Sequence, residues 1–136
     1  MDKLNEFLRA VAKILGPFLI AEAIITPFKD KIAAWIDVHI HNIIPGNYHI
    51  IWACTGIDEV ILLSSAIFAT PAPPKKKIIG FALATAIFEA YNVLRIWITS
   101  NHPNPLLHDV LFRWGGFTLV LLLFWAYVKV IKYGSD

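Results

Sequence analysis

Apolar residues fall in four long blocks, at about 7–28, 48–70, 78–98 and 107–131, with short polar or proline-bearing connections between them. Each block is near the ~20 apolar residues that a helix needs to cross the hydrocarbon core of a bilayer. Helices are the economical structure for such blocks, because backbone groups in lipid must be satisfied within the segment. The first block carries Arg9 and Lys13 near its start and Glu22 within it. Its Ala21-Glu22-Ala23 triplet has the small-x-small form of a signal-peptide cleavage site, but the apolar run continues to Phe28. It therefore reads as a retained anchor. Between the first two blocks, residues 31–44 place Ile32, Trp35, Ile36, Ile40 and Ile43 on one helical face, with Asp37 and His41 opposite. That pattern predicts an amphipathic helix lying in the interface rather than a fifth span. Pro45-Gly46-Asn47 turns the chain into the second block.

The expectation is an all-α, polytopic membrane protein: a single domain over 1–136, with four spans and one interfacial helix on the outer side. Composition agrees. Apolar residues make up 57% and charged residues 16%, against roughly 45–50% and 25% in a soluble domain. Mean hydropathy is +0.62. A chain this short cannot hide that much apolar surface inside a water-facing globule, which excludes a nucleic-acid-binding arm and an ordinary soluble enzyme. Lys75-Lys76-Lys77 in the short second connection assigns that connection to the cytoplasm, and both termini with it. Lys3, Arg9, Lys13, Lys129 and Lys132 fall on the same side, and only Lys29 and Lys31 on the other. The expected location is the plasma membrane.

This topology gathers three chemically capable residues near the outer boundary. Cys54 lies about two turns into the second block, Arg95 about one turn before the end of the third, and His108 opens the fourth. A thiol becomes a strong nucleophile as a thiolate. A neighbouring His moves the proton. A neighbouring Arg favours the thiolate or holds a developing oxyanion. Gly56 would let a peptide approach the backbone closely. Asp58 and Glu59 lie one turn below Cys54, and Asp58, four residues after it, shares its face. Glu89, Asn92 and Arg95, spaced by three, form a polar stripe, in which Glu89 or Asp58 would fix Arg95 or Arg113.

The stretches Ala53-Cys54-Thr55-Gly56-Ile57, Asn92-Val93-Leu94-Arg95-Ile96 and His108-Asp109 resemble the exosortase/archaeosortase family of membrane cysteine transpeptidases, here in a reduced, four-span form. The resemblance covers about residues 48–123. It implies an enzyme that cleaves C-terminal sorting signals of secreted proteins just outside the membrane and transfers them to an acceptor, with membrane lipid among the candidate acceptors. It implies Cys54 as nucleophile with Arg95 as partner. The third member is His108, which fits the family's His-Asp pair, with Arg113 as competitor. The implied partner is a secreted substrate bearing a motif, a transmembrane helix and a basic tail. No cofactor and no nucleic acid are implied, and a homo-oligomer is left open.

Two other readings stand beside it. Glu22, alone in its span, would serve a small proton-coupled four-helix transporter, and an inactive structural membrane protein needs no catalytic residue. His39-Ile40-His41 is a possible zinc-binding pair, but no further ligand motif accompanies it, so no metal site is expected. Trp52, Trp97 and Trp114 read as an aromatic belt at the outer boundary.

Overall fold

A chain with this little polar surface satisfies its backbone best in helices, and helices are what it forms. The structure, a computed structural model, describes residues 2–46 and 48–133, without the side chains of Asp2, Lys132 and Tyr133. Asn47 of the expected turn and the Lys132 side chain thus lie outside the described residues. The helices are α1 (Asp2–Ile25), α2 (Lys29–His41), α3 (Ile57–Ala69), α4 (Pro74–Asn101), α5 (Pro105–Asp109) and α6 (Gly116–Tyr133). Two 3-10 turns, Thr26–Phe28 and Trp52–Cys54, precede α2 and α3, and a π-helical stretch, Val110–Gly115, joins α5 to α6. No strand occurs among the described residues.

Two stretches are long and apolar enough to cross a membrane: Pro74–Asn101, and Pro105–Ile131, where α5, the π-helical stretch and α6 run on continuously. These are the third and fourth expected spans. The first block forms α1, which ends at Ile25 because Pro27 lacks an N–H and disfavours helical geometry in the residue before it. The second block departs from expectation. It is not one helix over 48–70. Gly56 adopts φ +74°, a left-handed conformation through which a helix does not propagate. Only the 13 residues of α3 are helical beyond it, about 20 Å of length. Cys54 therefore sits in the short turn before α3 rather than two turns into a helix.

α3 packs against α1, α4 and α6. Leu63, Ile67, Ala84, Phe88, Val120 and Tyr127 form a core shared by α3, α4 and α6. A second cluster at the other end joins Ile44, Ile50, Cys54 and Ile96, with Ile36, Ile40, Tyr48 and Phe112 packed against it. Arg9 and Lys13 on α1 share a cleft with Thr70 and Pro71, and Lys76 shares one with Val130 and Ile131. The basic residues of α1 and α4 thus gather at the end of the bundle remote from Cys54. Outward-facing Leu83, Ile87, Leu94, Trp97, Phe117, Leu121, Leu122 and Trp125 are exposed, while Thr55, Ser65, Asn92 and Arg95 are buried. An apolar exterior with a charged side chain buried inside is not the pattern of a water-facing globule.

The face that α2 turns inward differs in part from expectation. Ile32, Ile36 and Ile40 are partly buried as expected, but Ala33 is buried, Asp37 and His41 are partly buried with them, and Trp35 and Ile43 are exposed. Asp37 is drawn inward because its Oδ1 accepts the Ile50 N–H at 2.6 Å. The non-helical residues 48–50 lack a helical partner for that amide, and a carboxylate supplies one.

Candidate active site

The turn that carries Cys54 is built from backbone bonds. The Cys54 N–H donates to Ile51 O at 2.8 Å and the Thr55 N–H to Trp52 O at 3.0 Å. Left-handed Gly56 then starts α3. The space beside Gly56 is filled from within: a Cβ there would come within 2.8 Å of the Phe88 ring and 3.1 Å of Asn92. The close backbone approach expected for a substrate is thus taken up by α4. Asn92 closes the arrangement, donating from Nδ2 to Thr55 O at 2.8 Å.

Arg95 is fully buried. Its Nε donates to Asn92 Oδ1 at 2.7 Å, and Asn92 Nδ2 reaches Glu89 Oε2 at 3.3 Å. The polar stripe expected on α4 is therefore a connected chain from Glu89 to Arg95. The acid nearest the guanidinium is neither Glu89 nor Asp58 but Glu59, whose Oε1 lies 3.9 Å from Nη1. Nη1 and Nη2 have no hydrogen-bond partner among the described residues. Aromatic rings surround the group instead: Phe112 at 4.2 Å, and Phe88 and Tyr91 each at 5.8 Å. Cation–π attraction to three rings offsets part of the desolvation cost.

His108 lies in α5, whose first turn is capped by the Asn104 side chain accepting from the Leu106 and Leu107 amides. Its imidazole stacks on Phe112 at 4.3 Å and 15°, and its Nδ1 is 3.9 Å from Asp109 Oδ1. Phe112 is thus in contact with the imidazole and with the guanidinium of Arg95. Arg113, the competitor for the third role, is exposed.

The π-helical stretch admits these groups. Tyr91 Oη donates to Leu111 O at 2.7 Å, taking up a carbonyl in the widened turn. A Cβ at Gly116 would come within 2.9 Å of Arg95 Nη1, so the absence of one lets α6 pass directly over the buried charge.

A cavity of about 130 Å³ opens beside the turn, lined by Tyr48, His49, Ile50, Cys54, Ile96, Thr99, Ser100, His108 and Phe112. Cys54 and His108, far apart in the chain, share it. Arg95 does not line it and stands behind Phe112. The expected three-residue site is therefore a Cys–His cavity with a buried Arg one ring away.

Three other expectations change. Asp58 does not share the face of Cys54, because the left-handed residue between them breaks the i,i+4 relation. Its carboxylate instead accepts from Trp52 Nε1 at 2.7 Å and approaches Lys29 Nζ at 3.4 Å. Trp52 is accordingly an internal anchor rather than a belt residue, with Lys29 over its ring at 4.9 Å. Glu22 is not alone, since Lys29 Nζ is 2.6 Å from its Oε2. His39 lies tilted against the Trp35 ring at 4.0 Å, and His41 stacks on Tyr48 at 4.5 Å. Among the described residues, no three His, Cys, Asp or Glu are grouped to hold a metal ion.

Sequence reasoning noted Glu59 without pairing it to Arg95, and missed Phe112. Glu59 had a signal: it precedes buried Leu63, Ala66 and Ile67 by four, seven and eight residues, the spacing of one helix face. Phe112 had none. Comparison with protein-family models, with curated proteins and with solved structures finds no match for this chain.

Proposed function

We propose that this chain is a membrane-embedded cysteine transpeptidase of the kind its sequence resembles, acting on C-terminal sorting signals at the outer face of the plasma membrane. The observation that carries the reading is the shared cavity: the chain's single cysteine and His108 line one space, backed by a buried guanidinium whose Nη1 and Nη2 make no hydrogen bond among the described residues. Membrane residence is supported by the two long apolar stretches and the apolar exterior. The basic end, remote from the cavity, supports cytoplasmic termini and an outward-facing site.

In this mechanism His108 takes the thiol proton and the Cys54 thiolate attacks a substrate carbonyl carbon. The S–C bond forms, and the peptide C–N bond breaks as His108 returns the proton to the leaving amine. An acceptor hydroxyl, amine or water then attacks the thioester and regenerates the thiol. Arg95 acts through its charge. In a water-poor interior, a cation one ring away favours the thiolate and the tetrahedral oxyanion. Asn92 and Glu59 hold that cation in place. The transporter reading draws on Glu22 alone, and there a proton carrier would first have to break the ion pair with Lys29.

The test is processing in cells of a reporter bearing a candidate sorting signal. Wild type shortens it, whereas Cys54→Ala and Arg95→Ala accumulate in the membrane and do not. His108→Ala abolishes processing and Arg113→Ala keeps it. Processing by Cys54→Ala at the wild-type rate would overturn the mechanism. Loss with Arg113→Ala but not His108→Ala would reassign the third residue.

A further inference from the structure

Outside the site, an apolar groove runs between α4 and α6 at the basic end. It is lined by Lys76, Ile79, Gly80, Leu83, Ala84 and Ile87 from α4 and by Leu123, Ala126, Tyr127, Val130 and Ile131 from α6. Its shape depends on Gly80, where a Cβ would come within 2.3 Å of the Tyr127 ring. That ring forms the floor, and its hydroxyl lies 3.3 Å from Thr70 Oγ1.

We propose that this groove binds one anionic phospholipid of the inner leaflet, its acyl chain along the groove and its headgroup at Lys75 and Lys76. Length and charge argue for that occupant. From Lys76 to Ile87 the groove runs about 16 Å along α4, close to the ~15 Å depth of one leaflet. Lys76 lies in the lining at one end, with exposed Lys75 beside it, and basic clusters at this depth attract anionic headgroups. The proposal rests on the membrane part of the preceding reading and not on the chemistry at Cys54.

The test is native mass spectrometry of the detergent-purified full chain, titrated with phosphatidylglycerol and phosphatidylcholine of identical acyl chains. Wild type binds phosphatidylglycerol with about fivefold or greater preference. Lys75→Gln combined with Lys76→Gln brings the ratio near one and leaves phosphatidylcholine binding unchanged. Leu83→Trp, at an exposed position of the lining, reduces binding of both lipids, and Ala126→Phe serves the same purpose should that variant not accumulate. Glycerol 3-phosphate, a headgroup without chains, does not compete. The proposal is overturned by equal binding of the two lipids to wild type, by a preference that survives the double substitution, by unchanged binding to the filled groove, or by competition from glycerol 3-phosphate. Purification of the chain from the aqueous fraction without detergent would overturn the membrane reading itself, a distinct result.

Discussion

Gly56 is under two constraints at once, a left-handed backbone and the Phe88 ring against its Cα. Replacement with alanine adds backbone strain and an overlap, each of about 1–2 kcal/mol. Gly56→Ala is therefore expected to lower the thermal unfolding midpoint in detergent and to disturb Cys54 with it. Unchanged stability would show that the turn relaxes freely. Phe112 makes a different prediction, because it touches both charge-bearing partners. Phe112→Leu keeps the apolar volume and loses the stacking face. Processing should fall several-fold with accumulation unchanged, while Phe112→Tyr retains most of it. Equal activity in Phe112→Leu would show that the ring only fills space. At this scale Cys54, Arg95 and His108 were legible, because ionisable and nucleophilic groups are conspicuous in apolar sequence. Phe112 was not, since nothing separates it from its neighbouring phenylalanines until two other helices are placed against it.

Among the elements, α2 is joined to the chain segment before α3 by the Asp37 carboxylate as well as by apolar packing of Ile36 and Ile40. The Ile50 amide, followed by His49 and His41, holds Asp37 below the ordinary carboxylate range. A depressed folded value means that the stabilisation is fully present above the unfolded pKa, about 3.9, and is lost as pH falls through the folded value. Asp37→Ala should therefore be less stable than wild type at pH 6 by about 1–2 kcal/mol, the size of a hydrogen bond to a charged group. The gap should shrink below about pH 4. Asp37→Asn, which still presents an acceptor to Ile50, should fall between them. A gap that persists unchanged at pH 3 would assign Asp37 a packing role alone. The existence of α2 was legible from its periodicity, but its buried face was not. Apolar count placed Trp35 and Ile43 on the inward face and Asp37 opposite, whereas the structure leaves both apolar residues exposed and turns Asp37 inward, because an unpaired amide needs an acceptor more than Trp35 needs burial.

For the molecule as a whole, the charge distribution predicts orientation. In a Cys54→Ala background, a single cysteine introduced as Asn104→Cys should react with a membrane-impermeant maleimide on intact cells. One introduced as Pro71→Cys should react only after lysis. Reversed labelling would place the cavity on the cytoplasmic side and remove secreted proteins as substrates. Four apolar blocks suggested four similar spans, but the structure gives two long apolar rods, a charged α1 and a short α3. The difference comes from single residues: Gly56 breaks the second block, and Lys29 draws Glu22 and Asp58 into one ion-paired cluster.

The sequence by itself determined the helical class, the positions of the long apolar helices, the polar stripe on α4 and the residues able to carry chemistry. Each of these follows from local periodicity and from the cost of polar groups in apolar surroundings. Tertiary structure alone decided that Cys54 and His108 share a cavity, that Arg95 stands behind Phe112 and answers to Glu59, and that Gly80 and Tyr127 shape a groove at the other end. Those relations depend on how helices distant in sequence are rotated against one another. Small residues at the contacts, Gly56, Gly80 and Gly116, set that rotation by what they leave room for.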